Sequence, residues 1–146
     1  MSDREEVAGE TISSTALVRG LVPMIQVADV ERSIEFYRLL GFEVGNKVPP
    51  VGRLHWVWLY APKVAEWRHG PNLMLVRSEC TINPEDQRVL FYLYATHLPS
   101  LRDNLILEGL DAGEIKYPEY LPQGEFSLHD PDGYHLMIAQ SATDTP

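Results

Sequence analysis

The chain has a single cysteine, Cys80, among its 146 residues, so no internal disulfide can form. That fits a reducing compartment, and a cytoplasmic location is expected. Cys80 falls in a connector-like stretch, residues 78–84, and a reactive thiol would need an electropositive setting that the stretch itself does not show. Long apolar runs are also missing. No stretch is long and apolar enough to span a bilayer. Residues 1–20 carry Asp3, Glu5 and Glu6 early and lack the apolar core of a secretory signal. Positive charge is scarce: 12 Lys and Arg stand against 21 Asp and Glu, a formal net charge of -9. Nucleic acid and anionic membranes both demand clustered cations, so neither is expected as a partner. No Ser-His-Asp or Cys-His pattern points to nucleophilic catalysis.

What is present is a folded domain cut into short pieces. Hydrophobic residues make up 45% of the chain, which suits one globular domain. Eleven prolines and ten glycines imply many turns between short elements.

The chain nearly repeats itself. Asn72-Leu73-Met74-Leu75-Val76-Arg77-Ser78 returns as His135-Leu136-Met137-Ile138-Ala139-Gln140-Ser141. Such an echo signals two copies of one supersecondary unit. In the first copy, residues 22–28 alternate as a strand and Asp29 offers a cap. Val30, Ile34, Tyr37 and Leu40 then mark a helix closed by Gly41. Strands follow at 42–45, 54–60 and 72–77. The second copy has a strand at 89–95, Thr96 or His97 as cap, and a helix marked by Leu98, Leu101 and Leu105 that ends at Gly109. Strands near 114–117, at 124–129 and at 134–140 complete it, with the turn Asp130-Pro131-Asp132-Gly133 between the last two. Gly41 and Gly109 are 68 residues apart, as are Gly45 and Gly113. The same spacing lays Trp58 on Phe126, and 63 residues separate Met74 from Met137. The order is β-α-β-β-β, twice.

Each unit has one helix for four strands, so one sheet face lacks a helical cover. In residues 54–60 the aliphatic Val57 and Leu59 suit the helix side, while Trp56, Trp58 and Tyr60 share the other. Two sheets curled around such faces make a cleft, the usual setting of a ligand site. His55, which alternates away from Trp56, is expected beside the helix, His129 at the surface, and His69 and His97 in loop and cap positions.

Two stretches are similar to the vicinal oxygen chelate superfamily of glyoxalases, extradiol dioxygenases and bleomycin-resistance proteins. One runs from Val27-Ala28-Asp29 to Tyr37 and on to Leu40-Gly41-Phe42; the other runs from Gly124 to Tyr134. The resemblance implies an α+β fold of two tandem βαβββ modules, a curved mixed sheet around a cleft with helices outside. A flexible segment (1–20) would precede a single domain (21–140), with modules at 21–78 and 88–140 and a tail at 141–146. Metal-using relatives carry His or Gln in the first strand of each module and Glu in the last. Here those positions fall on Val22, Met74, Leu90 and Met137. None offers a hard nitrogen or oxygen donor, so no metal and no other cofactor is expected.

The resemblance then implies the bleomycin-resistance branch: a homodimer that binds a small aromatic or cationic molecule in an apolar cleft. The expected contacts are Met24, Gln26, Trp56, Trp58, Asn72, Met74, Tyr92, Tyr94, His135 and Met137, with no catalytic residue assigned. The alternative is a metal-dependent lyase, isomerase or dioxygenase with relocated ligands, for instance His135 with Glu125 or His129. A third possibility is a regulatory module whose cleft its own side chains fill.

Overall fold

Asp29 ends one element and starts the next. Its carboxylate accepts the backbone N–H of Arg32 at 3.1 Å, one of the donors a first helical turn leaves free. It divides strand β1 (Met24–Val27) from helix α1 (Val30–Arg38). The chain reverses at Gly41, whose φ of 96° a side chain would resist. Strands β2 (Glu43–Val48), β3 (Trp56–Tyr60) and β4 (Asn72–Arg77) follow. A 3-10 turn at Pro84–Asp86 leads to β5 (Leu90–Ala95), α2 (Leu98–Leu107), β6 (Glu125–His129) and β7 (His135–Gln140). This computed structural model describes residues 17, 18, 20–62 and 70–141. Most of the expected N-terminal segment, His69 and the tail beyond Ser141 lie outside them. Among the described residues no helix is long and apolar enough to cross a membrane.

The architecture is α+β, and hydrogen bonding divides it into two open sheets. One has the order β1-β4-β3-β2, the other β5-β7-β6. In each, the first strand of the module lies parallel to the last, with the helix in the connection. The strand expected near 114–117 shrinks to one bridge between Lys116 and Glu125. Gly113 N–H bonds Ser127 O while Lys116 bonds Glu125, so the register breaks between them, and Pro118 then brings no donor. The same break occurs in β2 between Val44 and Lys47.

The register also corrects one pairing of the repeat. Trp58 lies opposite Met74, and Ser127 lies opposite Met137. The counterpart of Trp58 is therefore Ser127, not Phe126. The loop after Lys116 is one residue longer than its equivalent after Val48, which shifts β6 by one and reverses which side chains face out.

Burial follows the period of two. Ile25, Val27, Val57, Leu59, Leu73 and Leu75 are buried, and so are Phe126, Leu128, Leu136 and Ile138. They form one core with Val30, Ile34 and Tyr37 of α1 and Leu98 and Leu105 of α2. Each fully buried aliphatic side chain contributes roughly 1.5–3 kcal/mol. His97 starts α2 at φ 53° without capping it by its side chain; Gln140 Oε1 accepts the Leu98 N–H instead, at 3.0 Å.

The Asp130–Gly133 turn is also a clasp between modules. Asp132, 3% exposed, accepts the Ala28 N–H at 3.0 Å and the Ser33 hydroxyl at 3.4 Å. A carboxylate at this place also meets the positive end of α1. Asp130 accepts the Tyr37 hydroxyl at 2.7 Å and the N–H groups of Asp132 and Tyr134, each at 2.9 Å. Tyr134 in turn donates to the Gln26 carbonyl at 3.0 Å.

Candidate functional site

With the helices and the core on one side, the opposite face of each sheet stays open. On the first sheet it carries Met24 and Gln26 from β1, Asn72 and Met74 from β4, and Trp56, Trp58 and Tyr60 from β3. Met24 is 56% exposed, and Trp56, Trp58, Asn72 and Met74 are half-buried. Trp58 Nε1 donates to Asn72 Oδ1 at 2.7 Å, and its indole stacks on Tyr60 with centroids 5.2 Å apart. Gly45 makes this seat possible, since a Cβ there would stand 2.5 Å from the Trp58 ring. Gln26 accepts a hydrogen bond from Ser78 at the rim.

The open face of the second sheet is built differently. Leu90, Tyr92 and Tyr94 come from β5, His135, Met137 and Ala139 from β7, and Glu125, Ser127 and His129 from β6. Where the first module has Trp56, Trp58 and Tyr60, the second has Glu125, Ser127 and His129. On these two strands the open side is aromatic in the first module and polar in the second. The expected site residues thus fall into two groups, six on the first face and Tyr92, Tyr94, His135 and Met137 on the second.

The structure does not gather all ten around one cavity. Asn72 and Tyr92 share one of about 250 Å³ between the modules, with Tyr37, Phe42 and Leu93. Tyr92 and Tyr94 line another of about 270 Å³ with Leu40, Phe42 and Leu101. Met137 lines a third, of about 290 Å³, with Glu125 and Ser127. Gln26 lies on a fourth beside His55, Arg77 and Cys80. His55 is exposed rather than packed by the helix, because Leu54 takes the buried position next to it.

Two local arrangements carry chemistry. Glu125 is 6% exposed and receives two phenols: Tyr120 donates to Oε2 at 2.7 Å and Tyr92 donates to Oε1. The bond to Glu125, and then that to Tyr120, holds the Tyr92 phenol above its usual range. A phenol held protonated is a donor, not a base or nucleophile. The second arrangement is a stack of His129 on His135, with centroids 4.7 Å apart and planes 14° from parallel. Burial, and then His129, pushes the His135 imidazole below its usual range, and its Nε2 is buried without a hydrogen-bond partner. The sequence named Glu125 only as a possible relocated ligand; its partnership with Tyr92 and Tyr120 depends on the true register of the third strands.

The four positions implied as metal ligands do not fit a metal. Met74 and Met137 lie on open faces beside Met24 and Tyr92, Leu90 lies beside His135, and Val22 precedes β1. Two branched aliphatics and two thioethers cannot replace water around a hard divalent ion. Among the described residues no group of three or more His, Cys, Asp or Glu side chains is placed to hold one.

No protein-family model matches the sequence, and no curated protein matches it. Solved structures do. TnmS3, an antibiotic-binding protein from Streptomyces sp. CB03234, superposes with a TM-score of 0.67 at 20% identity, over 87% of this chain and 98% of that one. A bleomycin resistance determinant encoded on transposon Tn5 gives 0.65 at 16%, over 84% and 97%. A bleomycin-binding protein complexed with bleomycin gives 0.63 at 17%, over 83% and 97%. At such identities the likeness is one of fold: the chain has the fold of the bleomycin-resistance and glyoxalase proteins.

Proposed function

We propose that the protein is a metal-free small-molecule-binding protein that sequesters an aromatic or cationic organic molecule without turning it over. The carrying observation is the replacement of all four implied ligand positions by Val22, Met74, Leu90 and Met137, in repeat-related pairs. A single change would weaken a metal site; four paired apolar changes turn its floor into a surface for organic groups. Methionine adapts to irregular shapes, and Trp56, Trp58, Tyr92 and Tyr94 add flat surface with polar edges. That three structures of this fold are described as antibiotic- or bleomycin-binding or resistance proteins supports the reading.

In this reading residues 21–140 act as one cytoplasmic domain, and the working form is a homodimer. Met24, Leu90 and Tyr94 are 56%, 45% and 67% exposed in a single chain, as a face closed by a second copy would be. Sedimentation at micromolar concentration should give twice the chain mass.

The test is titration of purified protein with aromatic metabolites and antibiotics, bleomycin among them, followed by tryptophan fluorescence. Saturable binding that survives a chelator supports the proposal. No saturable binding, or turnover that disappears with the chelator and returns with a divalent metal, overturns it.

A further inference from the structure

We propose that Glu125, in the aromatic setting of Tyr92 and Tyr120, is the subsite for an organic ammonium group, so that the ligand is an amine. This rests on the cleft reading above and narrows it.

Glu125 lies on the open face of β6, the face the helices leave uncovered. Strand β7 separates it from β5, so the Tyr92 phenol reaches it only by crossing over β7. Ala139 lies between Tyr94 and Glu125, and its small side chain leaves room for that crossing. The Tyr92 and Tyr94 rings lie 6.0 Å apart and 29° from parallel. A nearly buried carboxylate is thus surrounded by phenol rings, two of which donate to it.

The phenols donate to the carboxylate but bring no positive charge to it. Ion pairs among the described residues involve Asp132 and Glu35, and none involves Glu125. Buried carboxylates are normally matched by a cation, because an unmatched one is costly. Lys116 lies directly across from Glu125 in the bridge, yet its side chain is exposed and makes no ion pair with it. An arriving ammonium would find a fixed carboxylate and a third acceptor direction on its oxygens, with the phenols of Tyr92 and Tyr120 holding it in place. The cavity of about 290 Å³ at Glu125 has room for the group, and Met137, Ser127, Glu114 and Lys116 form part of its wall.

Calorimetry on the full chain with three probes of one shape tests the site: phenethylammonium, neutral 2-phenylethanol and anionic 3-phenylpropionate. Wild type should bind the ammonium about tenfold or more tighter than the alcohol, with the anion weakest. Glu125→Gln should abolish that preference and leave alcohol binding in place. Lys116→Gln, an exposed change that the fold tolerates, should tighten ammonium binding by removing the competing cation. Equal affinity for ammonium and alcohol in wild type, or weaker ammonium binding in Lys116→Gln, overturns the subsite and leaves the cleft reading standing. If neither probe binds, and the wider panel above also fails, both readings fall.

Discussion

The Tyr37 hydroxyl donates to Asp130 at 2.7 Å, joining the first helix of one module to the last turn of the other. Both groups are buried. Burial, followed by the charge of Asp130, holds the phenol far above its usual range, so it remains a donor at every relevant pH. Tyr37→Phe keeps the ring, which meets Phe36 and Phe42 edge-on, and removes only the hydroxyl. The expected loss is about 1.5–3 kcal/mol, because a buried carboxylate loses a donor. Urea unfolding should show a lower midpoint with an unchanged slope. An unchanged midpoint would show that the bond contributes nothing.

Asp132→Ala should cost about 2–3 kcal/mol, since it strips the Ala28 N–H and the Ser33 hydroxyl of their acceptor. Arg32 contributes little to this, as its side chain is half exposed. Asp132→Asn keeps an amide oxygen for Ala28 and should recover part of the loss. If the alanine and asparagine variants melt together, the clasp does not work through that acceptor.

Two groups of the second module carry opposite pH signatures. Burial raises the Asp130 carboxyl above its ordinary value of 3.8, outweighing the donors that lower it. Its contribution is therefore complete below 3.8 and lost as pH rises through the folded value. Asp130→Asn should gain on wild type as pH rises through that window. His135 is lowered, so its contribution is complete above 6.5 and lost as pH falls through the folded value. His135→Gln should gain on wild type as pH falls below 6.5. Denaturation midpoints between about pH 4 and pH 7 test both. A pH-independent difference in either pair would remove that group from the account.

Gly45 and Gly113 occupy equivalent places and should respond unequally to alanine. A Cβ at Gly45 would meet the Trp58 ring at 2.5 and 2.9 Å, whereas at Gly113 it would meet Ser127 Oγ at 2.8 Å. A hydroxyl can rotate away, but an indole hydrogen-bonded to Asn72 cannot do so without breaking that bond. Gly45→Ala should cost about 1–3 kcal/mol and shift the tryptophan emission; Gly113→Ala should cost less. Equal losses with unchanged emission would contradict the packing of Trp58 on Gly45.

The fold was legible wherever chemistry is local. Asp29 and Gly41 bound α1 because a cap and a left-handed turn depend on single residues. Asn72–Arg77 and its echo gave β4 and β7 because a repeated face pattern means a repeated environment. The register of β6 was not legible. Two aromatic residues, Trp58 and Phe126, matched under the spacing set by the glycines, and one extra loop residue undid the match. The same slip hid the place of Glu125 on the open face opposite Ala139. The clasp was hidden for another reason: Asp132 and Ala28 are 104 positions apart, and nothing in a turn motif names its distant partner.

The exchange of Trp58 for Ser127 gives the molecule a direction. A duplicated scaffold with matching halves would accept a guest either way round. Here a groove that set β3 of the first module against β6 of the second would have one oily wall and one hydrophilic wall. A guest with a flat end and a charged end would enter such a groove in a single orientation, as a key with one cut edge fits its lock.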